Sequence, residues 1–565
     1  MLLLYTLAAI VGWSQVIQCL PTASGIPYAT IRNFVTTDIL NGDDGMPPSP
    51  DAPLSYGKPV LHVDTDGNAI EEHNGRLFYY NDQYYMFAEK WACGRFSFFL
   101  GNVTGGYPRN QNFPPGDYGG QCGIVIYTSP DLTTWKFETL VQPQGVKGSP
   151  TKPKLLYSSA TGKYVLWLKA GNELGFTGGL YYLTADSPTG PWSNATVATG
   201  DHLAHDFDIA QGEDGSHYIV TDAFRGNFDP ESAGGSLPMW DVWVQKLLPD
   251  LTGVVGTNDT TVQVMDTVDS QGIGVATIGG KWYITGGPTC GNCEVPIQYL
   301  SASSPLGPWS NEAGVISPDL KQGTIIAGRG CGGQNKGLNK LPTANGGEVV
   351  ISAIWGYRTS PISLAWAGMV QHGDNSQAIS STYWYPLEFD EGGRVKEYTC
   401  AAEVQLPLVE QRQRKVPVMP SYQPDCRVRD NTTFVQTGLD FGEGPIRIPV
   451  FQRTDDLGPY AQDGPVMDAA LVMTVQYEDG TQSSVSFPAS DVSWAPTIVE
   501  VPLETGQPVK SLSLSTTATN GCYGVLAEPK KMQGSKYAVV DADGEDEAAD
   551  AQVYVHVDGS DWTPW

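Results

Sequence analysis

One pattern recurs five times along the chain and constrains its fold more than any other feature. A turn built from Asn, Asp or Gly opens into an aromatic or β-branched strand in NDQYYMF (81–87), TGKYVLW (161–167), EDGSHYIV (213–220), GGKWYIT (279–285) and GGEVVIS (346–352). Residues that tolerate positive φ, followed by a half-apolar strand, are the start of a hairpin. Between these stretches runs a second phrase: SPDLTTW (129–135), SPTGPW (187–192) and SPLGPW (304–309). Each follows a β-rich segment and ends on Trp, which reads as a turn closing one sheet before the chain steps to the next.

Irregular repetition of one antiparallel sheet is what a propeller needs, because each blade buries its faces only against its neighbours. The expected fold is all-β: a five-bladed β-propeller over residues 55–400, followed by a small β-sandwich. The 65 Gly, 41 Pro and 27 Tyr suit many short strands, and 565 residues exceed one ordinary domain. Residues 401–425, with clustered Arg, Lys and Pro, are expected to be a linker. The sandwich is expected over 426–528, where ALVMTVQYEDGTQSSVSFPA places a hairpin turn at Glu478-Asp479-Gly480. It is either a carbohydrate-binding module or a packing module without a ligand. The remaining 529–565 form an acidic tail, expected to be mostly without fixed structure, with a further strand at VYVHV as the alternative.

The first 25 residues read as a secretory signal peptide cleaved between about Cys19 and Gly25, since the apolar run Leu2–Trp13 is too short to span a bilayer. Sequons at Asn102, Asn194, Asn258 and Asn431 agree with a secreted, extracellular glycoprotein. Without Cys19, eight cysteines remain, an even number that reads as disulfides in an oxidising compartment. Cys290 and Cys293 lack the second close pair a zinc site would need, so they and Cys331 are assigned to disulfides rather than to metal. A net charge of −28 repels phosphate backbones and anionic lipid surfaces, which excludes nucleic acid and membrane as partners. A monomer is expected.

Three blocks, in order, carry a resemblance. DTDGNAIEEHNG (64–75) with YYMFAE (84–89), KPKLLYSSATGKYVLW (152–167) and AHDFDIAQGEDG (204–215) resemble glycoside hydrolase family 43, in wording nearest its exo-β-1,3-galactanase-like branch. The resemblance implies a five-bladed propeller with a sugar site at one mouth of its central channel. It also implies inverting hydrolysis, with a general acid at the leaving oxygen and a base activating water on the opposite face.

Carried over position by position, Asp206 matches the carboxylate that tunes the acid, and Glu89 matches a sugar-contacting glutamate. Three positions depart from the pattern: the base position holds His73, the acid position holds Gln271, and a further branch glutamate is Thr151. An amide cannot donate a proton as a carboxylic acid does. Substitutes stand nearby. Asp269 lies two residues before Gln271, Glu72 adjoins His73, and Gln334 matches a glutamine that holds the attacking water in the galactanase-like branch. The candidate catalytic residues are therefore Asp206, Asp269, Glu72 and His73, and the candidate substrate-binding residues are Glu89, Gln271, Gln334 and Asp208. Trp240, Trp243, Trp355 and Trp366 are either sugar platforms or packing aromatics, with packing favoured.

Two functions stay open: a secreted exo-glycosidase acting on plant cell-wall or arabinogalactan-type polysaccharide, and a non-catalytic carbohydrate-binding propeller that lost its acid. Either takes a polysaccharide or oligosaccharide partner. No cofactor or metal ligand is assigned, although the resemblance leaves room for a structural calcium ion in the channel.

Overall fold

The computed structural model describes residues 28–32, 60–90, 123–146, 150–170, 179–203, 205–224, 240–268, 271–288, 295–316, 322–328, 330–343, 346–356, 382–398, 400–401, 403–407, 418–420, 425–428, 433–437, 446–454, 467–492, 497–503, 507–525, 527–528, 536–540, 546–547, 552–553 and 556–557. The described residues are overwhelmingly β-strand and turn.

From His73 onward the chain forms five successive antiparallel sheets. Sheet one contains His73–Tyr80, Gln83–Lys90, Gly123–Ser129 and Lys136–Val141. Sheet two contains Pro150–Ser158, Lys163–Ala170, Leu180–Ala185 and Thr196–Val197. Sheet three contains Asp206–Gln211, His217–Phe224, Trp240–Lys246 and Thr261–Val268. Sheet four contains Gln271–Ile278, Lys281–Gly287, Ile297–Ala302 and Thr324–Ala327. Sheet five contains Gly333–Pro342, Glu348–Gly356 and Thr382–Pro386. The first strand of each sheet packs against the first strand of the next, and that of sheet five returns to that of sheet one, a propeller-like ring.

Both repeated phrases have fixed places in this arrangement. The five turn-plus-aromatic stretches are the hairpins between first and second strands. Asn81 and Asp82 in sheet one, and Gly279 and Gly280 in sheet four, supply the consecutive positive-φ residues that a tight hairpin with right-handed strand twist requires. The Ser-Pro phrases do not step between sheets, as the sequence suggested; each joins the third strand of a sheet to the fourth. In SPTGPW and SPLGPW the Gly N–H donates to the Ser carbonyl, Gly190 to Ser187 and Gly307 to Ser304, both at 3.0 Å. The turn so formed reverses the chain locally, which keeps the fourth strand in the same sheet.

The ring is tied at its axis by one carboxylate. Asp208, on the first strand of sheet three, is completely buried. Its Oδ2 accepts N–H bonds from Val275 of sheet four (3.0 Å) and Leu338 of sheet five (2.9 Å). Its Oδ1 lies 2.9 Å from the Lys154 ammonium of sheet two, and Oδ2 lies 3.5 Å from Arg76 Nη1 of sheet one. Lys154 also donates to the Leu338 carbonyl at 2.9 Å. All five sheets thus meet at one side chain. Gly337, at φ 132°, leaves the space that the Arg76 guanidinium fills, and a Cβ there would overlap it.

The stretch expected as a linker carries two strands. Glu403–Pro407 pairs with Tyr28–Arg32, and Val418–Pro420 pairs with Val60–His62. Ile31, Val404 and Leu406 join the apolar core of the ring. Cys331, at the entry to sheet five, is disulfide-bonded to Cys400 across 69 residues, and Cys522 is also disulfide-bonded; Cys290 and Cys293 lie outside the described residues. Beyond residue 425 two further sheets share one apolar core. Leu471, Met473, Val475 and Tyr477 point into it alternately along one strand, and Gly480 closes the expected hairpin by donating to the Tyr477 carbonyl at 3.0 Å. In the acidic tail, Lys536–Val540 adds to one of these sheets; of the stretch 541–550 only Asp546–Glu547 and nothing else is described.

Asp208→Asn strands two buried cations and is expected to cost about 3–5 kcal/mol in urea unfolding, against less than about 1 kcal/mol if the contact is incidental. Opening the Cys331–Cys400 loop by replacing both cysteines with serine is expected to cost about 4 kcal/mol. An unchanged unfolding midpoint would contradict the second expectation.

Candidate active site

The five first strands begin at one rim of the ring, and each of the first four enters through a residue in left-handed backbone or directly behind one: Asn74, Lys152, His205 and Gly272, at φ 50°, 51°, 55° and 72°. Register shifts accompany these entries in sheets one, two and four, with another at Asn335–Gly337 in sheet five. Bulges of this kind re-aim side chains, and non-glycine residues held at positive φ concentrate at functional sites.

Asp206 stands at this rim and is 1% exposed. It is paired with the Lys152 ammonium through Oδ2 and with the Lys169 ammonium at 3.1 Å through Oδ1. Gly272 N–H donates to Oδ2 at 3.2 Å. Burial opposes ionisation, but Lys152, together with Lys169, overrides it and holds the carboxyl well below the usual carboxylate range. Asp206 is therefore a fixed anion.

Behind it sits a pair the sequence did not disclose. Asp206 N–H donates to Asp222 Oδ1 at 2.6 Å, and the same oxygen lies 2.7 Å from His205 Nδ1. Burial, then the Asp206 charge, pushes the Asp222 carboxyl well above its ordinary value; burial, then Lys169, holds the His205 imidazole well below its own. Both shifts favour the neutral forms, and the short contact between ring nitrogen and carboxyl oxygen holds one proton between them. The His205 ring stacks on Trp240 with centroids 3.9 Å apart.

Gln271, at the acid position, accepts through Oε1 from Gln334 Nε2 at 3.1 Å. Gln334 Oε1 accepts in turn from the Lys336 ammonium, which lies 5.2 Å from the centre of the Trp355 ring. Desolvation, then Lys152, drives the Lys336 ammonium well below the usual lysine range. Glu89 Oε1 accepts from Asn74 Nδ2 at 2.5 Å and from Lys152 N–H at 2.9 Å. His73 stands opposite Glu89 in strand register, has Nδ1 3.4 Å from Glu71, and meets Trp355 edge-on at 6.2 Å.

The structure therefore gathers Asp206, Glu89, Gln271 and Gln334 into one connected network at the rim, with His73 beside it. Glu72 is buried one residue before His73, but its carboxylate is taken by His62 Nδ1 at 3.0 Å. Asp208 sits at the axis with both oxygens committed to the ring, so its position is that of a tie rather than a sugar contact. Asp269 and Trp366 lie outside the described residues. Trp240 and Trp355 are fully buried and serve as packing aromatics, and the half-buried Trp243 stacks on His202 at 3.7 Å. Sequence reasoning missed Lys152, Lys169, Lys336, His205 and Asp222. One signal was present: Lys169 is a lone cation late in the apolar strand KYVLWLKA.

His205, Asp206 and Asp222 place one ligand atom each within 4.8 Å of one another. They do not fit a calcium ion. Asp206 is already paired with two ammonium groups, burial works against the charged form of Asp222, and His205 offers nitrogen, whereas calcium takes several charged or carbonyl oxygens.

Residues 78–321 match the family model described as Glycosyl hydrolases family 43. The resemblance to family 43 is shown. That span contains Glu89, Asp206, Asp208 and Gln271, and leaves out Glu72, His73 and Gln334. The chain is similar to an arabinoxylan arabinofuranohydrolase of Bacillus subtilis (strain 168), 25% identical over 252 residues; the match spans 38% of this chain and only 47% of that relative. Among solved structures it is similar to an exo-β-1,3-galactanase from Phanerochaete chrysosporium with bound galactose (18% identity, 86% of this chain, 100% of that one, TM-score 0.43). It is also similar to an exo-β-1,3-galactanase from Clostridium thermocellum (14% identity, 86% of each chain, TM-score 0.42).

The electrostatics of this family 43-like rim predict its pH behaviour. Asp206 and Asp208 have depressed folded-state values, Asp208 because Lys154 and Arg76 override burial. Their stabilisation is present above the unfolded value near ~3.9 and is lost as pH falls through the lower folded values. Asp222 runs oppositely: its contribution is present below ~3.9 and is lost as pH rises through its raised value. Thermal melting is expected to weaken steeply below about pH 4, and Asp222→Asn, a neutral mimic, to melt near the parent at pH 7. Loss of folding in Asp222→Asn at pH 7 would contradict a raised Asp222 carboxyl.

Proposed function

We propose that the protein is a secreted glycoside hydrolase that cleaves plant cell-wall or arabinogalactan-type polysaccharide by inverting exo-action at the rim of the ring. In this reading the five sheets are five propeller blades, residues beyond 425 form an accessory β-sandwich, and the chain acts as a monomer. The single observation that carries the reading is Asp206, a buried carboxylate held ionised at the start of an inner strand within the family-matched span. There it would stabilise charge developing on the sugar, with Glu89 holding hydroxyls. Gln334 would hold the attacking water beside His73, and Asp269 would supply the proton to the leaving oxygen. Exposure of Asn194 and Asn258 supports glycosylation and thereby secretion.

One observation favours a second reading. The acid position is an amide, locked to Gln334 and through it to Lys336. If Asp269 does not deliver a proton, the rim binds a saccharide without cutting it, and the protein is a carbohydrate-binding propeller.

Reducing-sugar release from galactan, arabinan, xylan and arabinogalactan separates the two. For a hydrolase, the parent releases sugar and both Asp206→Asn and Asp269→Asn lose it. For a binding protein, the parent releases none but retains a polymer, and Gln271→Glu, which restores a carboxylic acid, gains activity by roughly 10²- to 10⁴-fold over background. Neither release nor retention of any of these polymers would overturn both readings.

A further inference from the structure

Two residues donate to one oxygen of Glu89, and both stand in left-handed backbone. Asn74 Nδ2 lies 2.5 Å and the Lys152 N–H nitrogen 2.9 Å from Oε1. Asn74 has φ 50° and Lys152 φ 51°, each at the rim end of the first strand of its sheet. Outside glycine such backbone persists only where its surroundings determine it, and it gathers at ligand sites. The register shift between His73 and Arg76 sets Asn74 in a bulge, a device that re-aims side chains. Lys152 carries the connection onward, because its ammonium pairs with Asp206. Asn74 itself is 1% exposed. Since Glu89 Oε1 also accepts from the Lys152 N–H, the side of the Asn74 amide that meets it has to be the NH2 group. The carbonyl Oδ1 is thereby turned away from Glu89, and it makes no hydrogen bond among the described residues. A buried amide oxygen without a donor is rare in a folded protein.

We propose that Asn74 is a substrate-binding residue, its carbonyl accepting a hydrogen bond from a hydroxyl of the terminal sugar next to the hydroxyl that Glu89 holds. The proposal rests on the saccharide reading above and adds a demand on the ligand, two adjacent free hydroxyls on one ring. Asn74 and Glu89 are joined by a single hydrogen bond, so their acceptor atoms are spaced for neighbouring oxygens of one sugar rather than for two units of a chain. Both groups accept, and a vicinal diol offers two donors. A carboxylate, an ester or a sulfate at either place would offer none.

Calorimetric titration of the full chain tests this with β-1,3-galactobiose, α-1,5-arabinobiose and β-1,4-xylobiose, and with analogues of each that lack one hydroxyl of the terminal ring. For a disaccharide that binds, removing the hydroxyl that faces Asn74 is expected to weaken binding to the parent about tenfold, and removing its neighbour to do so through Glu89. Asn74→Gly separates the two. Glycine accepts φ 50° without strain, so this variant is expected to melt near the parent. In it the first penalty is expected to vanish and the second to remain. Penalties unchanged between parent and Asn74→Gly, or absent from both, overturn this inference and leave the saccharide reading standing. Loss of both penalties together makes Asn74 a support for Glu89 rather than a contact of the sugar, which overturns the inference as well. Binding of none of the three disaccharides to the parent overturns both.

Discussion

A single buried carboxylate holds the ring closed. Asp208 takes N–H groups from sheets four and five and cations from sheets one and two, while its own strand belongs to sheet three. A charge so far from water survives only because it is paired and hydrogen-bonded on every side. Because the five first strands run in the same sense around it, their starting residues meet at one rim. The site is a consequence of that closure: Asn74, Lys152, Asp206, Gln271 and Gln334 are distant in sequence and come together only when the sheets close on Asp208.

Two residues along the same strand, Asp206 repeats the device with a different outcome. Lys152 and Lys169 make it a permanent anion, and Asp222, bonded in turn to His205, fixes its backbone from behind. A carboxylate so strongly ionised cannot donate a proton, yet it can stabilise positive charge in a sugar. For the proposed hydrolysis the proton would have to come from another group, because the amide of Gln271 cannot supply it. This division between a retained anion and a displaced acid is the chemical question the rim poses.

Much of the fold was legible because it depends on local chemistry repeated five times. Hairpins such as Asn81-Asp82 and Gly279-Gly280 announce themselves by residues that accept positive φ, and the strands after them by alternation and aromatic content. The Ser-Pro phrases were placed wrongly because a turn's sequence specifies a reversal without saying which strand receives the chain. Asp206, Glu89, Gln271 and Gln334 were legible through the resemblance, and the network joins them. The cations and the His205–Asp222 pair were not, because they are cross-strand partners whose meeting depends on register: Asp206 stands opposite Asp222, sixteen residues away. Asp208 carried the right residue type for a sugar contact, and only the closure of the ring reveals that both its oxygens are already engaged.

The most direct test of this account is a crystal structure of the protein with a bound galacto- or arabinogalacto-oligosaccharide. A sugar ring is expected at the rim, within hydrogen-bonding distance of Glu89 and beside Asp206, with its glycosidic oxygen facing Gln271. A saccharide seated only on the sheets beyond residue 425, with the rim untouched, would contradict it.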